Sequence, residues 1–420
     1  QSASGAQVYF VENRDLPMLD VSVEFPAGSR WDGNRPGLAN MVRHLLPLGA
    51  GGRSEDEIAR RLADVGAVLG GSFDRDRAGI TLRTLSRQKE KEQSLAILAD
   101  ILQHPDFPPS VLEREKARMV DAIREEATQP ESIADKAFYA AVYGQHPYAH
   151  PPEGDVDSVA ALQRPEVVDF YQARYRVGNA VIAVVGDVGR SEAEAIANRL
   201  SGQLPSGKAE TDTPPVGTPA PVERYIENPA QQSHILLGYP GVSRSDPDYF
   251  TLFVGNHVLG GGRFASRLMN QIREKRGLAY SVYSYFNPLQ QAGPFTLGLQ
   301  TKKDQTEQAL ALARKILADF VAQGPTAEEL EKAKQNIVLG FPLRIDSNAK
   351  ILGYLAMIGF YHLPLSYLDD FVPRVERVSI ADVRAAFARH IKPEGMVTVV
   401  VGASAPVTRP NLAKEGKKEK

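Results

Sequence analysis

Read for its apolar and polar positions, the chain divides into short strands and amphipathic helices. The segment MLDVSVEF alternates, with Met18, Leu19, Val21, Val23 and Phe25 set against Asp20, Ser22 and Glu24. This predicts a strand with one core face and one polar face. Pro36 and Gly37 precede a helical run over 38–46, which Pro47 and the glycine-rich turn 49–52 close. Ser54 with Glu57 has the spacing of a capping box and predicts a helix through Ala63. A strand is expected over 78–85. A helix should follow from about Glu92 to Gln103, stopped by His104–Pro105, and another after Pro109 carrying LEREKARMVDAIREE.

The second half repeats this order. HILLGYPG reads as a strand, FTLFVGNHVLGG as a helix, and PFTLGLQT as a strand with Phe295, Leu297 and Leu299 inward. DQTEQALALARKILADFVAQG is amphipathic through Leu310, Ala313, Leu317 and Phe320, and Thr326 with Glu329 forms a second capping box. LEREKARMV at 112–120 echoes LEKAKQNIV at 330–338, and AVIAVVGDV at 180–188 echoes MVTVVVGAS at 396–404. The offset is about 215 residues each time, the mark of a duplicated module. The expected division is therefore 1–204, a proline-rich linker at 205–221, a second domain at 222–405, and a flexible tail at 406–420 that ends KEGKKEK. Strands separated by long helices, with hairpin-like strand pairs, indicate the α+β class: two homologous α/β domains, each a mostly antiparallel sheet with helices on one face.

Composition narrows the function classes. A chain of 420 residues with 43% hydrophobic and 24% charged residues can bury two cores. A net charge of −2 and the lack of a basic tract with interleaved aromatics argue against nucleic acid. No apolar run reaches the roughly eighteen residues that span a bilayer. With no cysteine there is no disulfide, thiolate metal site or thiol nucleophile. The polar start QSASGAQ, beginning at Gln1 rather than Met, fits an exported, periplasmic product whose signal peptide has been removed.

The most informative stretch is SRLMNQIREKRGLAYSVYSYF at 266–286. Phe264, Leu268 and Ile272 share a helical spacing, Lys275 and Arg276 load the last turn, and Gly277 supplies a left-handed stop. From Leu278 the composition turns to a strand, with Tyr280, Val282, Tyr283, Tyr285 and Phe286. Arg273 thus lies near the end of a helix and Tyr280 near the start of a strand. At such a corner a guanidinium and a phenol can both face a peptide carbonyl or carboxylate. By themselves they read more readily as a solvated charge in a basic run and a half-buried strand aromatic.

REKRGLAYSVYS resembles the substrate-binding segment of the pitrilysin, insulysin and mitochondrial processing peptidase family of zinc peptidases, the inverzincins. The resemblance covers nearly the whole chain. It implies two homologous domains forming one half of a peptidase clamshell, with Arg273 and Tyr280 as the pair that holds substrate opposite the zinc. It also implies an H-x-x-E-H helix: two imidazoles one turn apart and a Glu that deprotonates the metal-bound water. The matching context here is GLANMVRH. Against it, the first His is Asn40, the general base is Arg43, and His44 alone remains. A further Glu that completes the coordination falls at Ala122 by motif, with Asp121 beside it by spacing. One imidazole and at most one carboxylate do not hold a catalytic zinc, and Arg43 adds a fixed cation. No metal site of its own is expected.

Other candidates are weaker. His146 and His150 in HPYAHPPEG have i,i+4 spacing, but the intervening and following prolines forbid a regular helix. His104, His234, His257, His362 and His390 are scattered singly. Gly260, Gly261 and Gly262 lack the spacing of a phosphate loop, and read as a tight turn between helices or as a bare backbone that an extended peptide can approach. Together with the resemblance, these residues predict a non-catalytic, substrate-binding subunit that completes the active site of a homologous partner carrying H-x-x-E-H and zinc. The alternatives are a scaffold of the same fold, like the core subunits of respiratory complexes, and a peptide-binding homodimer.

Overall fold

The computed structural model describes residues 1–405; the expected tail at 406–420 lies outside them. The first half begins with β1 (Gln7–Glu12) and β2 (Met18–Phe25), followed by α1 (Leu38–Leu45) and a small ladder of β3 (Gly49–Ala50) and β4 (Arg53–Ser54). It continues through α2 (Glu55–Ala63), β5 (Val68–Gly70), β6 (Ala78–Leu85), α3 (Gln88–Gln103), α4 (Pro109–Glu126) and α5 (Pro130–Tyr143). It ends with α6 (Val156–Ala161), α7 (Arg164–Arg174), β7 (Val181–Gly186) and α8 (Arg190–Ser201).

The second half opens with β8 (Val222–Glu227), β9 (Gln232–Pro240), α9 (Tyr249–Asn256), β10 (Ser281–Phe286) and β11 (Pro294–Lys302). Then come α10 (Thr306–Gln323), α11 (Ala327–Gly340), α12 (Asn348–Phe360), α13 (Phe371–Arg377), α14 (Ile380–His390) and β12 (Val397–Gly402).

The two sheets have the same topology. The first runs β1-β7-β2-β6-β5 and the second, read from the other edge, β8-β12-β9-β11-β10. In each, the late strand slips between the first two, parallel to one and antiparallel to the other. That is why AVIAVVGDV and MVTVVVGAS match: β7 and β12 hold equivalent central positions, buried on both faces. The repeat seen in α4 and α11 likewise falls on equivalent helices.

Each half packs its own helices on one face of its sheet, around a core of its own. The opposite face is covered by the other half. Helix α12 lies across β1, β2 and β7, and α5 lies across β9 and β12. Leu352, Leu355 and Ala356 join Ala183 and Val185, while Ala134, Phe138 and Tyr139 join Val397, Val399 and Val401. Both dockings pass through a glycine. A Cβ on Gly238 of β9 would stand 2.1 Å from the Phe138 ring, and one on Gly359 of α12 would stand 2.5 Å from Val181.

This exchange corrects the expected polar face of β2. The strand is central rather than half-exposed, and Asp20, Ser22 and Glu24 are buried. Most of their polar groups find partners, with Arg83 donating to Asp20 at 2.8 Å and Ser22 donating to Glu24 at 2.8 Å, while the second Asp20 oxygen is buried without one. Two caps also differ from each other. Thr326 and Glu329 form the full reciprocal box, but at Ser54 only one arm exists, because the Glu57 carboxylate turns instead to Arg61 at 2.8 Å.

A buried carboxylate joins the halves. Asp76 is 0% exposed and accepts from Arg30 (2.8 Å), Tyr148 (2.5 Å), the Gln290 amide (2.6 Å) and Tyr361 (2.9 Å). The first two donors belong to the first half, the last two to the second. Removing one member of a buried ion pair leaves the other uncompensated. We therefore expect Asp76→Asn, which strands the buried Arg30, to lower unfolding free energy by about 3–5 kcal/mol in urea titrations; a loss below about 1 kcal/mol would show that this carboxylate does not join the halves.

Candidate functional site

The helix expected before Arg273 is interrupted. After α9 the backbone widens into a π turn at His257–Gly261, passes through Arg263 at φ 51°, and makes a single 3₁₀ turn at Arg263–Ala265. A second π turn follows at Met269–Glu274. Such turns recur at functional sites because they aim side chains that a regular helix could not. Leu268 and Ile272 are fully buried as expected, but Phe264, assigned to the same face, is 65% exposed. The glycines set the break: a Cβ on Gly260 would sit 2.3 Å from Ser284 Oγ, so this backbone presses directly on β10. Gly260 is therefore spent on packing within the chain, while Gly261 and Gly262 stay accessible.

Arg273 and Tyr280 meet at this corner. The Arg273 guanidinium lies 5.9 Å from the Tyr280 ring centroid and 5.5 Å from that of Phe264. Its nearest carboxylate, Glu274, is at 3.8 Å, and Met269 Sδ is at 4.0 Å. Tyr280 is 70% exposed, just ahead of the edge strand β10, and its own amide donates to Gln300. Five cavities open among the described residues, and neither side chain lines one of them. The pair is thus assembled on an open surface with its functional groups uncommitted. Phe264 is the third member, which periodicity hid; the signal for it was the glycine triplet just before, which ends the helix.

The degenerate zinc helix is α1. His44 points at α4, where its Nε2 lies 2.9 Å from the Glu115 carboxylate. Glu115 is buried and also accepts from Arg114 (2.5 Å) and Arg118 (2.9 Å). Burial alone would raise its pKa, but hydrogen bonds from His44 and Arg114 outweigh this and hold it below the ordinary value of 4.5. Ala122, the matched position for the remaining ligand, lies two turns further along α4 and is exposed, as is Asp121. Arg43 packs against Gly71, with its Nε buried and without a partner. The residues present do not fit a hydrolytic zinc: one imidazole already bonded to a carboxylate that two guanidiniums claim, an amide at Asn40, and a cation at Arg43.

His146 is likewise committed. Its Nδ1 accepts from the Tyr148 amide at 3.1 Å, so its Nε2 carries the proton donated to the Pro214 carbonyl at 2.9 Å. Asp246, Asp248 and His390 bring their ligand atoms within 4.8 Å of one another, a grouping the scattered histidines did not suggest. Arg389, however, bonds both oxygens of Asp248 at 2.9 and 3.0 Å, and His390 bonds the same carboxylate at 2.9 Å. The cluster reads as an ion-paired lock between α9 and α14.

The decisive likeness extends over both halves. Residues 9–155 match the model described as insulinase (peptidase family M16), and residues 161–337 match the peptidase M16 inactive domain. A crystal structure of a peptidase M16 inactive domain from Pseudomonas fluorescens is 39% identical, with 96% of this chain and 97% of that chain covered and a TM-score of 0.93. The chain belongs to the peptidase M16 family. A Helicobacter pylori relative named non-peptidase homolog YmxG is 25% identical over 94% of this chain and 91% of its own. A Bacillus subtilis relative named uncharacterized zinc protease YmxG is also 25% identical, over 83% of this chain and 84% of its own. The two M16 relatives thus carry opposite names. A Helicobacter pylori protease structure, 20% identical with a TM-score of 0.87, shares the fold.

Because Glu115 is held below its ordinary pKa, its contribution to stability is complete above about pH 4.5 and is lost as pH falls through the lower, folded-state value. Glu115→Gln should cost about 2 kcal/mol at pH 7, the scale of hydrogen bonds to a charged group, and should flatten the acid limb of a pH–stability curve read by chemical denaturation. A variant with an unchanged acid limb would exclude this linkage.

Proposed function

We propose that this M16 chain is the non-catalytic, substrate-binding subunit of a heterodimeric zinc endopeptidase. A homologous partner of the same fold supplies H-x-x-E-H, the zinc and the general base. This chain closes the chamber and supplies Arg273 and Tyr280. The observation that carries the reading is the contrast between the two halves. The corner of Arg273 and Tyr280 is assembled and exposed, whereas His44 and Glu115 are bonded to each other, Arg43 places a cation beside them, and the set does not fit a catalytic metal.

The two groups have distinct tasks. Tyr280's hydroxyl donates to the scissile carbonyl as negative charge develops on its oxygen, a contribution that reaches a few kcal/mol for a well-placed donor. Arg273 offers a fork of N–H groups to a neighbouring carbonyl or to a C-terminal carboxylate. Phe264 and Tyr280 flank the guanidinium with ring faces, which hold it in place by cation–π attraction while leaving its donors free. Both groups act across a subunit boundary, so activity depends on assembly. An exported, periplasmic setting remains part of this proposal.

A scaffold role is the second reading, favoured by one observation: Arg273 and Tyr280 line none of the five cavities described among residues 1–405, so without a partner these cavities give them no chamber to serve. The name of the Helicobacter pylori relative fits either reading, since both make this chain inactive by itself.

Mixing the purified chain with a homologous chain that carries H-x-x-E-H should restore peptide cleavage that neither shows alone; a partner whose activity ignores this chain would favour the scaffold. In the mixed complex, Tyr280→Phe should reduce turnover about a hundredfold while leaving the dimer intact on gel filtration, the loss typical for removal of one oxyanion donor. Unchanged turnover would remove the role assigned to Tyr280.

A further inference from the structure

A cavity of about 310 Å³ lies where the two halves meet, away from the corner of Arg273 and Tyr280 and from the degenerate zinc helix. Its walls carry five cations, Arg75, Arg77, Arg244, Arg344 and Lys350, against one carboxylate, Asp74. Three of the five are already engaged. Arg77 pairs with Asp74 at 3.2 Å and Glu24 at 3.8 Å, and Lys350 pairs with Asp346 at 2.8 Å. Arg75 donates to the Tyr148 carbonyl at 3.0 Å and lies 3.5 Å over the Tyr139 ring.

Arg244 and Arg344 are different. Among the described residues neither takes part in an ion pair, and what holds each is an aromatic surface. Arg244 stands 5.2 Å from the Tyr249 ring centroid and 5.6 Å from that of Tyr361. Arg344 stands 5.5 Å from Phe253 and 6.0 Å from Phe371. Tyr249 and Phe253 are stacked one turn apart on α9 with centroids 6.3 Å apart, so the two guanidiniums rest over neighbouring rings of one helix. The Nε of Arg244 is buried and has no hydrogen-bond partner. A buried polar group left unpaired costs free energy that a ligand recovers on binding. A concave wall of one sign with low-dielectric sides also concentrates its field on the space between.

From this geometry we infer that the cavity between the halves binds a small multivalent oxyanion of the phosphate or polycarboxylate class, held by Arg244 and Arg344. The flat donor fork of a guanidinium matches two oxygens of such an anion, and the rings beneath fix its orientation before binding. Arg75 and Arg77 from the first half add their field to this space, while Arg244 and Arg344 from the second hold the anion directly, so binding stabilises the folded chain by mass action. This inference is independent of any catalytic partner.

The test uses the full chain in three arms, with inorganic phosphate, pyrophosphate and citrate, each compared with sodium chloride at equal ionic strength. Thermal unfolding and isothermal titration are the readouts. At least one of these anions should raise the unfolding temperature saturably in the wild-type chain. Arg244→Gln and Arg344→Gln should each weaken its binding about tenfold or more, the loss expected for one charged hydrogen-bonding group. Arg190→Gln, which removes an equal charge from the exposed start of α8, should bind as the wild type does. Three results would each overturn the inference: no saturable effect of any anion on the wild-type chain, undiminished binding by both arginine variants, or equal loss in Arg190→Gln. The wild-type arm decides the matter even where a variant fails to fold, and the ranking of the three anions separates phosphate from polycarboxylate chemistry.

Discussion

The arrangement depends on the exchange of α5 and α12 between halves. A five-stranded sheet with one covered face would leave the apolar positions of its central strands in water on the other. Here Val185 and Ala183 meet α12 from the second half, and Val397, Val399 and Val401 meet α5 from the first. Burial of apolar surface, at about 25 cal/mol per Å², stabilises the contact between the halves at these faces. The glycines at Gly238 and Gly359 let the exchanged helices approach closely enough to reach it. Asp76 then fixes the register of the contact, since its four donors come from four separate segments and can be satisfied only in one relative position.

The corner of Arg273 and Tyr280 and the helix α1 stand on separate parts of that frame. The corner of Arg273 and Tyr280 stands on β10 and on a segment whose turns are set by Gly260 against Ser284. None of that geometry depends on α1. On α1, by contrast, the hydrogen bond between His44 and Glu115 links α1 to α4, against which it packs.

Much of the fold was legible in the sequence. Strands β6 and β11 fall where the alternation indicated, and the duplicated motifs on β7 and β12 announced equivalent central strands. The membership of the M16 family followed from REKRGLAYSVYS and the degraded GLANMVRH helix. What escaped detection has a common physical cause, which is contact between residues far apart in the chain. The burial of Asp20, Ser22 and Glu24 follows from the exchanged helix, which no local pattern reveals. The partner of His44 is Glu115, for which the only hint was a charged residue on the inward face of α4. Phe264 was misassigned because a 3.6-residue period was carried across a backbone that narrows and widens there.

The crossed helices also bear on how the chain emerges from the ribosome. The first sheet lacks its outer cover until α12 has been synthesised, more than a hundred residues after β7. Until then its apolar outer face is open to water and to other nascent chains. The late closure of such long-range pairings is slow, so the outer face of the newly made first half stays uncovered until α12 arrives.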